Sequence, residues 1–353
     1  MVELQRFPLD ELKTLAMDLF VANGFEAEKA QAMTDVLLEA DLIGHSTHGL
    51  ALLPRYLDAG RRGEMLRAGN YEVCSDRGAC LVWNGRRLPG TWLVSRGLDV
   101  LLPRARQFGQ ATLLIAESHH IGALAAYLRR ATEQGLILLI SCSTASVSVV
   151  APFGGRQRLF TPNPLAAGFP TRQNPIMLDI SASITTLNRA QQLAAAGERY
   201  PHPWLLTVEG IPTDDPTALA EGGSLLPIGG IDHGHKGYNL ALLTEALTQG
   251  LSGVGRADHP GGTCTQVMLQ AWDPEAFAGL DALTRQTDWL VNACRTNPPR
   301  PGVSAVRVPG DRAESHRKQC IEDGVPLSVS TIERLHREIE HIGLTMPSIF
   351  SSN

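Results

Sequence analysis

The chain has 353 residues, 43% hydrophobic and 19% charged, which supplies a sizeable core and excludes intrinsic disorder. Its formal net charge of −5 argues against the strongly basic face that a nucleic-acid partner needs. Six cysteines, at 74, 80, 142, 264, 294 and 320, form no CxxC pair and read as free thiols of a reducing compartment.

The opening, MVELQRFPLDEL, lacks a basic n-region and an apolar h-region, so no secretory signal is expected. Leu136–Ile140, one of the longest apolar runs, is far too short to span a bilayer. These features predict a cytoplasmic protein with neither nucleic acid nor membrane as partner. Leu12, Leu15 and Leu19, then Ala30, Met33, Leu37 and Ala40, follow helical spacing, with Gly24 as a C-terminal cap between them. A third helix is expected from near Leu50 to Gly60. Tyr71–Cys74 and Cys80–Trp83 read as strands around a turn. A helix over Trp92–Leu101 should be interrupted by Pro103.

Next come a strand at Ala111–Ala116, a helix at Gly122–Gln134 stopped by Gly135, and strands at Leu136–Ser141 and Pro175–Ile180. Such alternation argues for an α/β or α+β sheet. Ile211–Gly234, rich in Pro, Gly, Asp and Ser, reads as a long functional loop. Then follow a helix at Tyr238–Leu251, a strand at Gln266–Trp272 and a helix at Pro274–Cys294 begun by its proline. A linker at Asn297–Gly302, a strand at Ser304–Val308 and two polar helices complete the chain. No internal repeat is visible.

No G-x-G-x-x-G fingerprint and no P-loop occurs, so any bound dinucleotide must have its phosphates held in another way. Four segments carry candidate chemistry. In Asp41–Leu50, His48 precedes a glycine where two helices meet. A neutral imidazole there can give or take a hydroxyl proton, with Ser46 or Thr47 fixing the other ring nitrogen. A capping histidine in a polar loop is the plain alternative. In Ser118–Ala123, His119 and His120 stand between a strand and a helix, where side chains and N–H groups face a ligand. Adjacent histidines point apart, which makes them a poor metal clamp, and no H-E-x-x-H spacing supports a hydrolytic metal site; no metal is expected. Val150–Gly155 with Pro162–Pro164 reads as a rigid ordered loop. In His233–Tyr238, Lys236 sits at a helix start, a plausible phosphate site beside an ordinary solvated turn.

In this order, Asp41–Gly49, His119–Ala123, Ala151–Gly155 with Pro162–Pro164, Asp179–Ser183, His235–Tyr238 and Pro309–Asp311 resemble the malate/L-lactate/L-sulfolactate dehydrogenase family, which lacks the Rossmann fold. Its relatives include ureidoglycolate dehydrogenase, diketogulonate reductase and piperideine-carboxylate reductase. Ser118–Gly122 and Gly223–Pro227 look most like the bacterial hydroxycarboxylate dehydrogenase branch. The resemblance implies an NAD- or NADP-dependent enzyme moving hydride between nicotinamide and a small 2-oxo/2-hydroxy acid, or a related cyclic imino acid. It implies a mixed-sheet cofactor domain over 76–299 and a helical domain built from 1–75 with 300–353. It further implies a homodimer.

By the same resemblance His48 is the proton donor or acceptor, with Ser46 and Thr47 beside it. His120 is a second site histidine, assigned the acid/base role in some relatives. His119, Ser143, Thr144, Asp179, Ile180, Ser181, Ala182, Ser183, His235, Lys236, Gly310, Asp311 and Arg312 are implied at the cofactor. Where many relatives have an arginine four residues after the catalytic histidine, this chain has Leu52, with Arg55 as replacement clamp for a substrate carboxylate. Asn163 and Arg189 are further substrate-side candidates. Thr47 stands for the usual serine and Pro162 for a threonine, and Asn188-Arg189 replaces a G-K or acidic pattern. The framework is kept and the substrate floor is altered, which fits a larger or less acidic substrate, or a silent relative that binds a dinucleotide or metabolite without turnover.

Overall fold

The structure, a computed structural model, describes residues 4–344. The chain opens with β1 (Leu4–Phe7), α1 (Leu9–Ala22), α2 (Ala27–Leu42) and, after a 3-10 turn at Leu50–Leu52, α3 (Leu53–Arg61). It then lays down β2 (Glu72–Asp76), β3 (Cys80–Asn84), α4 (Gly90–Phe108), β4 (Gln110–Ser118), the short α5 (Arg129–Thr132) and β5 (Ile137–Thr144). β6 (Leu165–Phe169), β7 (Ile176–Ile180), α6 (Leu187–Ala196) and the two-residue strands β8 (Leu205–Leu206), β9 (Pro212–Thr213) and β10 (Ser224–Leu225) follow. The last elements are α7 (Gly230–His233), α8 (His235–Glu245), β11 (Thr265–Trp272), α9 (Leu280–Arg295), α10 (Asp311–Asp323), β12 (Val325–Ser328) and α11 (Val329–Ile342).

Seven strands form one mixed sheet in the order β2-β3-β4-β11-β5-β6-β7. β3 and β4 run parallel and every other neighbouring pair is antiparallel. β11 reaches the centre of the sheet from late in the chain, and its Val267, Leu269 and Ala271 are fully buried. α4 lays Leu98, Leu101, Leu102 and Ala105 into the same core. A second cluster joins both chain ends: Leu12, Leu19, Met33 and Leu57 pack with Cys320, Val325, Leu335 and Ile339, and β1 pairs with β12. A third, smaller cluster around Val150, Phe160, Leu193, Leu205 and Leu225 is carried by α6 and the β10-β8-β9 sheet. The mixed sheet without a Rossmann unit, with helices from both ends, matches the expected fold class.

Several expectations are corrected. Pro103 does not interrupt its helix; α4 runs on to Phe108. Pro103 is exposed while its neighbours on the other face are buried, so core packing outweighs the roughly 3 kcal/mol cost of an interior proline. Gly122–Gln134 is not one helix but a 3-10 turn at Leu124–Tyr127 and the single turn α5. Gly122 has φ +73°, and the N–H groups of Gly122 and Ala125 bond to His120 and Asp179 instead of to a helix. Pro274 starts only a 3-10 turn, Pro274–Ala276; Gly279, at φ +90°, separates it from α9. Ser304–Val308 is not a strand. The Ile211–Gly234 loop contains β9, β10 and α7, and β6 and α6 lie where no element was expected.

Candidate active site

His48 lies just beyond α2, in a loop shaped by Asp41. The Asp41 carboxylate, 3% exposed, accepts the Leu50 N–H at 2.7 Å and so fixes the turn that follows the histidine. A Cβ on Gly49 would fall 2.1 Å from that carboxylate, which is why only glycine follows His48. Burial pushes the Asp41 carboxyl up to about 7, against the pull of the Leu50 N–H. Thr47 Oγ1 lies 2.9 Å from His48 Nδ1. Ser46 is exposed and makes no hydrogen bond among the described residues, so the hydroxyl that orients the ring is that of Thr47.

The segment after β4 brings His120 against His48, with the two rings nearly parallel and their centroids 6.0 Å apart. Tyr56, fully buried on α3, places its hydroxyl 2.7 Å from His120 Nδ1, and the Gly122 N–H donates to the same nitrogen at 3.2 Å. His119 meets Tyr56 edge-on, with ring centroids 6.2 Å apart. It is 1% exposed and neither of its ring nitrogens has a hydrogen-bond partner. Arg55, exposed one residue before Tyr56, makes no hydrogen bond or ion pair among the described residues. Burial, then the charges of His45 and Arg55, lower the His48 pKa to about 4. Burial and Arg55 likewise lower His119 to about 4, while Glu64 pulls weakly the other way. His120 is held well below the ordinary histidine range by burial, His48, Arg55 and His119.

A cavity of about 630 Å³, lined by His45, Ala125, Asp179, Ile180, Gly310, Arg312 and His316 among others, meets this cluster through His45, whose charge acts on both His48 and Asp179. Asp179 Oδ2 accepts the Ala125 N–H at 3.0 Å, and burial raises its pKa against the opposing charge of His45. Gly310, at φ +102°, turns the chain into α10; a Cβ there would lie 3.1 Å from the Pro175 carbonyl. Arg312 is exposed and makes no hydrogen bond or ion pair among the described residues, while Asp311 is occupied by Arg295 and the Val308 N–H. From Ile180 the chain runs through Ser181, Ala182 and Ser183 to the start of α8. There Ala182 accepts the Ile228 N–H, and a Cβ on Gly237 would fall 2.5 Å from the Ala182 carbonyl. Ser181 and Ser183 bond within this segment. His235 and Lys236 are exposed at that helix start; His235 stacks edge-on with Phe153, and Lys236 has no ion pair among the described residues.

The cavity therefore gathers Asp179, Ile180, Gly310 and Arg312, and the strand tail links them to Lys236. A cationic Arg312 in the first turn of a 13-residue helix suits a phosphate, and the Asp179 carboxylate suits a hydroxyl or amide donor, so the residues present fit a dinucleotide. Other candidates already have hydrogen-bond partners or stand exposed. Ser143 bonds to Glu245 and Gln249, and Thr144 to Thr265. Asn163, 2% exposed, is bound to Ala241, Glu245 and Thr161. Arg189 is exposed on α6, and Leu52 fills the helical core. Among the described residues no group of three or more His, Cys, Asp or Glu is placed to hold a metal ion. Among the described residues no helix is long and apolar enough to cross a membrane. Sequence reasoning missed Tyr56, His316 and the lining role of His45. Tyr56 reads as an ordinary helix residue until a partner 64 positions away meets it.

The sequence profile of the malate/L-lactate dehydrogenase family matches residues 7–336. The chain belongs to that family. It is 30% identical to the L-lactate dehydrogenase of Cupriavidus necator over 97% of this chain and 99% of the relative. It is 31% identical to the Delta(1)-pyrroline-2-carboxylate/Delta(1)-piperideine-2-carboxylate reductase of Pseudomonas syringae pv. tomato, over 94% of this chain and 95% of that one. The crystal structure of malate dehydrogenase from Entamoeba histolytica superimposes with a TM-score of 0.92, covering 98% of this chain and 100% of that chain at 22% identity, a likeness of fold.

Proposed function

We propose that this family member is an NAD- or NADP-dependent oxidoreductase interconverting a small 2-oxo acid and its 2-hydroxy acid, or reducing a related cyclic imino acid. The observation that carries this reading is the parallel imidazole pair, His48 and His120, with the charge of Arg55 acting on both and the Asp179–Arg312 cavity reaching toward them through His45. A nicotinamide dinucleotide held by these residues would supply or take the hydride. Asp179, Arg312 and the start of α10 would hold the dinucleotide, with Lys236 reaching it from α8. His48, neutral at physiological pH because its pKa is about 4, accepts the proton of a substrate hydroxyl in the oxidative direction. In the reductive direction the same nitrogen returns a proton to the oxygen. Thr47 holds the ring through Nδ1 and leaves Nε2 for that exchange. The planar fork of Arg55 suits the substrate carboxylate, in place of the arginine replaced by Leu52.

The reading includes a homodimer in the cytoplasm. Support for the dimer comes from α8 and the turn after it, which leave Leu242, Leu243 and Leu251 at 44%, 49% and 58% exposure on one segment. The test mixes the protein with NADH or NADPH and a panel of 2-oxo acids and cyclic imines, and follows the absorbance of the reduced cofactor. Oxidation with at least one panel member is expected. Tight cofactor binding with none turned over would replace this reading by that of a silent relative.

A further inference from the structure

The two imidazoles at the centre of the site do not have equivalent surroundings. His120 Nδ1 receives two groups, the Tyr56 hydroxyl at 2.7 Å and the Gly122 backbone N–H at 3.2 Å. A backbone N–H can only donate. The Gly122 N–H also touches the Tyr56 hydroxyl, but its hydrogen is directed at Nδ1, so that nitrogen presents its lone pair and the Tyr56 hydroxyl donates to it as well. A neutral imidazole with its lone pair at Nδ1 carries its hydrogen on Nε2. Adding a second proton would place an N–H at Nδ1 directly against the Gly122 N–H. His48 Nδ1 is instead met by Thr47 Oγ1 alone. A hydroxyl rotates, donating to a bare nitrogen or accepting from a protonated one, so His48 changes protonation state without losing its partner.

From this asymmetry we infer that Tyr56 is a positioning residue that locks His120 as a permanent Nε2–H hydrogen-bond donor, so that His48 alone exchanges the substrate proton. The inference rests on the oxidoreductase reading for its consequence in turnover, though not for the tautomer itself. In the oxidative direction the hydroxyl proton passes to His48 Nε2 while its O–H bond breaks. His120 keeps its own proton throughout and only orients the oxygen. The groups facing His120 agree with this division. His48, His119 and Arg55 all oppose a positive charge on it, and Tyr56 lies wholly buried, its phenol pushed up and kept protonated. No acidic side chain among those acting on His120 offsets them.

The test has two arms. In the first, imidazole nitrogens are isotope-labelled and NMR of the full chain without cofactor reads the His120 tautomer. A single neutral Nε2–H form is expected, unchanged from pH 8 to pH 5, giving way to a tautomer mixture in Tyr56→Phe. An Nδ1–H form or an imidazolium in the unmodified protein across that range would overturn the inference. In the second, His120→Gln keeps an N–H donor but cannot exchange a proton. It should retain turnover within about tenfold, the worth of one repositioned hydrogen bond. His48→Gln should lose about a thousandfold. Equal losses in the two variants, with both folded by circular dichroism, would overturn the division of roles. A protein that turns over no panel member would sink the oxidoreductase reading while leaving the tautomer measurement to stand or fall separately.

Discussion

Two buried polar regions of this molecule behave oppositely. Around Glu245 the groups satisfy one another: Ser143 and Asn163 donate to its carboxylate, Arg256 pairs with it at 3.0 Å, and Gln249 closes the ring onto Ser143. Around Tyr56 the accounts stay open. His119 has two orphaned nitrogens, His48 and His120 have no described partner on Nε2, and Arg55 has no counter-ion. Buried polar atoms are ordinarily paired, and a set left unpaired together is one that waits for a ligand. The difference teaches that burial and polarity do not by themselves mark a site: several open titratable groups gathered at one place do, whereas single orphans such as Thr34 Oγ1 and Trp83 Nε1 also occur in the core.

Substitutions in the two regions should therefore fail in different ways. The largest effect is expected at Gly49, where a methyl group meets the Asp41 carboxylate. Gly49→Ala should cost more than about 3 kcal/mol of stability, visible as a large fall in the denaturant midpoint. Unchanged stability would mean that Asp41 does not fill that space. Next, Glu245→Ala should destabilise by roughly 3 kcal/mol, because it strands Arg256 and two buried donors. Surviving molecules should keep their KM. A kinetic defect without a stability loss would move the Glu245 network into the site and break the contrast.

His119 supplies the third prediction. Its folded pKa, about 4, lies below the ordinary 6.5, so the unfolded chain binds a proton that the folded chain refuses. Stability carried by the neutral ring is present above pH 6.5 and drains as pH falls toward 4. By pH 5 the loss from this one buried group is roughly 2 kcal/mol. Asp41, raised to about 7, works oppositely over the same window, since its protonated form is favoured by folding. His119→Asn isolates the histidine: its stability should decline less than that of the parent between pH 6.5 and 5. Parallel curves would show that the His119 ring already has a partner. The smallest effect is expected at Arg55, where Arg55→Ala should raise KM for the 2-oxo acid about tenfold with kcat nearly unchanged. A fall in kcat at constant KM would instead give Arg55 a role in the chemical step.

The same contrast explains what could be read in the sequence. Thr47, His48 and Gly49 are legible because their geometry is local: hydroxyl, ring and glycine are adjacent, and the Asp41 that needs the glycine is only eight residues away. The mixed sheet was legible from the apolar runs that became β4, β5 and β11. β6 was not, since Leu165–Phe169 is built of Ala and Gly as much as of strand formers. β12 carries a proline and gains its identity by pairing with β1, more than 300 positions earlier. That Ser143 and Asn163 already have hydrogen-bond partners could not be read in the sequence, because position along the chain does not reveal what a hydroxyl or amide meets. Tyr56 escaped for the converse reason: its role exists only where α3 meets the turn after β4.

The central claim is that the His48 imidazole exchanges the substrate proton. Single-turnover hydride transfer in His48→Ala, with cofactor and substrate both saturating, tests it most directly. The account predicts cofactor affinity within a few-fold of the parent and a transfer rate lower by about a thousandfold. A transfer rate equal to the parent's would contradict it.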